Sequence, residues 1–140
     1  MKYKADNAKF YVVATLCLVN LVANSAYSSI APFFPKEAKD VKHVNVFYIG
    51  FIFAGYSVSM WIFSPLFSSL LTAYGRKNVL VVGCFCESLA ILLFALLPDM
   101  IDGPVAYGFS CFFCRMIEGF GNGCLSSSSN SIISFFYEDE

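Results

Sequence analysis

The chain has 140 residues, of which 58% are hydrophobic and only 14% charged, with a formal net charge of −1. Soluble domains average about 25% charged residues, so this chain cannot coat a water-facing surface, and it is too apolar for disorder. Near-neutral charge also provides no basic field for nucleic acid, which leaves the lipid bilayer as the expected surroundings.

Residues 1–9 form a short tail with Lys2, Lys4 and Lys9. The first apolar run, Phe10 to Ala31, has 22 uncharged residues. That meets the roughly 20 needed to cross the hydrocarbon and exceeds the about 7–15 of a signal-peptide core, so it reads as a retained span ended by Pro32 and Pro35. After the charged connection 36–43, the run Val44 to Leu71 has 28 uncharged residues. Its length predicts tilt or a start nearer Phe47, and Pro65 predicts a local kink. Gly50, Ala54, Ser57, Ser64 and Ser68 share one face, which reads as a close-packing stripe.

Gly75-Arg76-Lys77 reads as a very tight turn. The third run, Val79 to Leu97, contains a single charge, Glu87. A loop with Asp99, Asp102, Gly103 and Pro104 follows. The fourth run starts near Val105, carries Arg115 and Glu118, turns polar through Ser126–Ser129 and Asn130, and is expected to continue as helix toward Tyr137. The reading is an all-α membrane protein with spans at about 10–31, 46–71, 78–97 and 105–128 inside a transmembrane region 10–137. Five Lys/Arg (Lys2, Lys4, Lys9, Arg76, Lys77) stand on one side against three on the other (Lys36, Lys39, Lys42). That bias predicts cytoplasmic termini.

Soluble chemistries find no support. All six cysteines lie in apolar runs and read as small packed residues rather than a disulfide framework. The Cys111–Cys114 pair lacks the partners of a zinc or haem site. His43 reads as a loop residue around which no Ser/His/Asp constellation assembles. Gly119-x-Gly121-x-Gly123 follows a membrane run rather than a strand, so it is no nucleotide fingerprint. No enzyme activity, cofactor or metal is expected.

The informative residues are polar groups inside the spans. Glu87 stands midway along its run, and Arg115 and Glu118 lie well inside theirs. A charge at that depth costs about 2.5–3.5 kcal/mol on insertion scales and persists when it faces a protein interior or a wet pathway. At about 100° per residue, Arg115, Glu118, Gly119, Asn122, Ser126 and Ser129 form one stripe. Cys17, Asn20, Asn24 and Tyr27 form a shorter one on the first helix. Arg115, Glu118, Glu87, Asn20, Asn24 and Asn122 are therefore the candidates for a transport pathway. Competing readings are helix–helix glue for Asn20 and Asn24, a structural ion pair for Arg115, and a purely structural acid for Glu87. The GxxxG of Gly119 and Gly123 reads as packing.

Two stretches resemble a known family. Ser68 to Lys77 is similar to the loop between helices two and three of major facilitator superfamily transporters, G-x-L-x-D-R-x-G-R-[RK]. Leu70, Gly75, Arg76 and Lys77 match; Ser68, Thr72 and Ala73 depart from it. Arg115-Met-Ile-Glu-Gly-Phe-Gly-Asn-Gly123 resembles the helix-four pattern R-x-x-Q-G-x-G-x-G of proton-coupled drug and vesicular amine antiporters, with Glu118 in place of Gln. Ala31 to Ala38 and Asp102 to Val105 look like the vesicular polyamine branch of solute carrier family 18. In that alignment the helix-one acidic residue of monoamine transporters falls on Ala23.

The resemblance implies the first four helices of a twelve-helix fold, present here as an N-terminal fragment. The remaining helices or another chain would be needed to close the pathway. It also implies proton-coupled antiport of an organic cation or amine, with Arg115 in proton coupling and Glu118 or Glu87 as the carboxylate. The expected location is the plasma membrane or an intracellular vesicle membrane. The alternative is a non-transporting four-span scaffold or partner-binding subunit.

Overall fold

The computed structural model describes residues 2–42 and 44–137. His43 and residues 138–140 lie outside the described residues. Four helices follow in order: α1 (Lys2–Asp40), α2 (Val46–Tyr74), α3 (Arg76–Met100) and α4 (Pro104–Tyr137). Among the described residues, α2, α3 and α1 from Lys9 onward are long and apolar enough to cross a membrane. The sequence reading put α4 in the same class, but Arg115, Glu118, Asn122 and the serine run dilute its apolar character. It packs along both α2 and α3, while α1 leans on the bundle with little of its surface covered.

Several boundaries differ from the sequence reading. Pro32 and Pro35 do not end α1, which continues to Asp40. An interior proline costs about 3 kcal/mol; here the burial of Phe34 and Ala38 opposes that cost. Both sit, 3% and 0% exposed, in a cluster with Ile49, Ile52, Phe94 and Tyr107. Pro65 lies inside α2, as its place within the second apolar run predicts. The turn before α3 is Gly75 alone, at φ 81° and ψ 151°, a region open essentially to glycine. Arg76 and Lys77 already belong to the first turn of α3. Asp99 belongs to its last turn, and Pro104 opens α4, where its missing N–H goes unneeded.

The small-residue stripe on α2 is also corrected. Gly50, Ala54, Ser57, Ser64 and Ser68 face outward, and the buried face is the opposite one, with Ile49, Ile52, Gly55, Ser59 and Phe67. Closeness to α4 is obtained at Gly55, where an added Cβ would meet the Phe112 ring at 2.9 Å. Ser59 Oγ fastens the pair by donating to the Met116 carbonyl at 2.6 Å.

The glycines of α4 decide how the bundle closes. A Cβ on Gly119 would collide with the Tyr56 carbonyl, and one on Gly123 with the Phe67 ring, both on α2. A Cβ on Gly121 would stand 2.8 Å from Glu87 N and 2.9 Å from Gly83 O, on α3. The packing expected of the GxxxG is present, and the intervening glycine serves a second neighbour.

Two apolar clusters result. One, at the end reached by the α1 extension, contains Phe34, Phe94, Tyr107 and the free thiols of Cys111 and Cys114. The other, at the Gly75 end, contains Phe67, Val79 and Cys124.

Candidate functional site

Between the clusters lies a polar layer. Arg115 is fully buried at 0% exposure and Glu118 nearly so at 1%. They stand one helical turn apart on α4, so their side chains meet on the same face. Arg115 Nη1 donates to Glu118 Oε2 at 2.9 Å. Three aromatic rings from three helices surround the guanidinium: Tyr27 of α1 at 5.1 Å, Phe53 of α2 at 5.0 Å and Phe94 of α3 at 5.1 Å from ring centroid. Each face offers negative quadrupole density to a cation. Arg115 Nε and Nη2 and Glu118 Oε1 make no hydrogen bond among the described residues. The pair therefore keeps unused donor and acceptor capacity at a depth without bulk water.

Glu87 enters from α3, 4% exposed. The Asn122 amide, 6% exposed, is its neighbour across the α3–α4 contact, though neither Glu87 oxygen nor Asn122 Nδ2 closes a hydrogen bond. Tyr56 of α2 lies within electrostatic range of Glu87, Glu118 and Arg115, and packs against the Tyr27 ring at a 32° tilt with centroids 4.4 Å apart. The candidates on α3 and α4 are thus brought into one layer.

The two asparagines of α1 part company. Asn20 Nδ2 donates to Ser129 Oγ at 2.9 Å and to the Leu16 carbonyl at 2.8 Å, joining the polar stripe of α1 to that of α4. Asn24 is exposed, and its amide turns back to the Asn20 carbonyl at 2.7 Å. With Asn20, Ser25, Ser28 and Ser29 it forms an open polar patch on the outer face of α1. Cys17 is exposed as well. The α1 stripe therefore meets α4 at Asn20 and opens outward at Asn24.

Gly75, Arg76 and Lys77 lie at one end of the bundle, away from the polar layer. There the Arg76 guanidinium sits 4.6 Å from the Phe135 ring centroid, tying the start of α3 to the end of α4. At the opposite end Lys42 Nζ donates to the Ile101 carbonyl at 2.9 Å, approaches Asp102 Oδ1 at 3.6 Å and lies over Tyr107 at 5.7 Å.

Sequence reasoning missed Phe53, Phe94, Tyr56 and Ser59. With 16 phenylalanines in the chain, no local signal separates the two that face a guanidinium from the rest. Ser59 had one: it stands seven residues after Ile52 and four after Gly55, on the face opposite the small stripe, where a hydroxyl in an apolar run needs a carbonyl.

A sequence profile of the Major Facilitator Superfamily matches residues 16–140. The MFS-type transporter SLC18B1 of Mus musculus is 30% identical over 130 residues, covering 93% of this chain and 28% of that protein. The protein of the same name from Rattus norvegicus gives the same figures. The Homo sapiens one is 32% identical over 123 residues, covering 88% of this chain and 26% of that protein. The chain thus spans about a quarter of the length of these curated relatives. No solved structure matches it. With a profile match over most of its length and apolar helices long enough to cross a bilayer, this integral membrane chain belongs to the Major Facilitator Superfamily.

Proposed function

We propose that the chain is the first part of a membrane transporter that moves a small organic cation by alternating access, in exchange for protons. The observation that carries this reading is the buried Arg115–Glu118 pair, one turn from Asn122 and joined to α1 through Ser129 and Asn20. The relatives named above are transporters by name, which supports transport itself. The antiport chemistry rests on the resemblance of residues 115–123 to the helix-four pattern of proton-coupled antiporters.

In this mechanism Glu118 is the carboxylate that exchanges a proton. Protonation removes its attraction for Arg115 and frees a guanidinium already cushioned by three rings. Deprotonation draws the guanidinium back. Either change alters the charge presented to a cation in a passage bounded by α1 and α4. The outward polar face of α1, with Asn20 and Asn24, forms one wall of that passage. Further helices form the opposite wall, because single spans cannot enclose a pathway that lies between repeats. Gly75, Arg76 and Lys77 sit at the cytoplasmic end with both termini, and the Arg76–Phe135 contact holds α3 and α4 together as the halves rock.

The test is Glu118→Gln in the full-length transporter in proteoliposomes. Uptake of a labelled polyamine driven by a pH gradient is expected to fall at least tenfold, while exchange without a gradient persists. Gradient-driven uptake unchanged at every external pH would remove Glu118 from the coupling step.

A further inference from the structure

Of the two buried carboxylates among the described residues, Glu118 is paired with Arg115, whereas Glu87 has only the neutral Asn122 amide beside it and no cationic partner. Glu87 borders a crevice of about 310 Å³ between α1 and α3, lined also by Leu18, Val22, Ala26, Cys84, Ile91 and, from α4, Leu125. On α1 the lining runs from Leu18 to Ala26, about 12 Å of helix axis at 1.5 Å per residue. It is apolar apart from Glu87, Ser88 and Cys84.

A buried carboxylate beside an apolar crevice at this depth is costly unless something pairs with it. Among the described residues Arg115 is committed to Glu118, Lys9 lies over Tyr137 at the end of α4, and Lys36, Lys39, Lys42, Arg76 and Lys77 stand at helix ends, away from Glu87 midway along α3. The missing group must then come from outside the four helices. Two observations favour a helix over a small molecule. The crevice is elongated along two turns of α1, and small side chains on its walls (Ala23, Ala26, Cys84, Ser88) allow a backbone to approach closely. In hydrocarbon, a helix is also the form in which a further segment satisfies its own backbone.

We infer that the α1–α3 crevice seats a further membrane-spanning helix whose lysine or arginine, at mid-bilayer depth, pairs with Glu87. The role is one of assembly. It holds α1, which has few contacts of its own, in register with α3, and it does not depend on which solute is carried.

The probe is a leucine-rich 23-residue transmembrane peptide with one central lysine, co-reconstituted with the 140-residue chain in phosphatidylcholine vesicles. A photo-crosslinking residue replaces Ser88. Crosslinking to the lysine peptide is expected to exceed that to an all-leucine counterpart about tenfold, the scale of an interhelical polar contact. Glu87→Gln is expected to abolish the difference, and Glu87→Lys to restore it with a central-glutamate peptide. The lysine peptide is also expected to slow modification of Glu87 by dicyclohexylcarbodiimide in the unsubstituted chain, a readout that survives even if the variants fold poorly. Equal crosslinking of both peptides, or undiminished carbodiimide modification, overturns the inference. So does crosslinking mainly between two copies of the chain. Protection of Glu87 by phenethylammonium alone, without peptide, would assign the crevice to a small ligand and overturn it as well. Because none of these readouts measures transport, failure here leaves the transport reading standing, and the converse holds too.

Discussion

Breaking the Arg115–Glu118 pair from one side, from the other and from both distinguishes a buried ion pair from two independent polar side chains. Arg115→Met leaves the Glu118 carboxylate, 1% exposed, with no partner among the described residues. Removing one member of a buried pair costs about 3–5 kcal/mol, and the three aromatic faces that held the guanidinium lose their cation too. Glu118→Leu is expected to cost less. The guanidinium keeps Tyr27, Phe53 and Phe94 at 5.0–5.1 Å, three contacts that Arg115→Met forfeits, and at about 0.5–1 kcal/mol each they set the two variants roughly 2 kcal/mol apart. In the double variant two apolar side chains fill the same volume with nothing left unpaired. It should therefore lie within about 2 kcal/mol of the parent.

The assay is thermal unfolding of the full chain in detergent micelles, followed with a fluorogenic maleimide. Cys111 and Cys124 are 0% exposed and Cys114 7%, so their reaction reports opening of the bundle above the earlier signal from exposed Cys17 and half-buried Cys84 and Cys86. The expected order is parent, double variant, Glu118→Leu, then Arg115→Met, with a coupling energy above about 2 kcal/mol. Losses that simply add would refute the pairing. An Arg115→Met variant as stable as the parent would refute the burial of this layer.

Three further outcomes follow from backbone geometry and the far end of the bundle. Gly121→Ala places a Cβ 2.8 Å from Glu87 N and 2.9 Å from Gly83 O. Backbone cannot swing aside, so a loss of about 1–3 kcal/mol is expected. Gly50→Ala, with nothing within 4 Å, should gain up to about 1 kcal/mol from helix propensity; similar melting shifts in both would contradict the α3–α4 contact. Gly75→Ala forces an L side chain to φ 81° and is expected to cost about 1–3 kcal/mol, measured in the same melt and refuted by an unchanged midpoint. Lys42→Met removes the donor to Ile101 and should raise hydrogen exchange at residues 101–103 with under about 1 kcal/mol of global change. Asp102→Asn, at a side chain in full solvent, should leave exchange there as it was.

What could be read in advance follows the range of the interaction concerned. Three of the helices were legible because each apolar run is long enough to be its own evidence, and the fourth because its polar residues keep a helical period. Their ends were not. Whether α1 stops at Pro32 is decided by Phe34 and Ala38 finding a pocket among Phe94, Tyr107 and Ile49, residues up to about 70 positions away. The stripe on α2 failed for a related reason: periodicity identifies residues that share a face, and only the neighbour decides which face is covered. Arg115 and Glu118 were legible because one turn of helix brings them together. The rings around them come from three other segments.

The nonapeptide from Arg115 to Gly123 nevertheless encodes more of the bundle than its motif reading uses. At about 100° per residue, Gly121 falls to one side of the line Arg115–Glu118–Asn122, and Gly119 and Gly123 fall to the other. The first admits α3 and the other two admit α2, each to a distance at which any Cβ would collide. With both flanks closed by backbone, the polar line between them is screened from lipid and aimed at the space enclosed by α1, α2 and α3. That is where Tyr27 covers Arg115 and Asn20 reaches Ser129. The glycines therefore do for the charges what burial in a soluble core does elsewhere. They let two neighbouring backbones approach closely enough to keep an arginine and a carboxylate inside a membrane helix without exposing either to hydrocarbon.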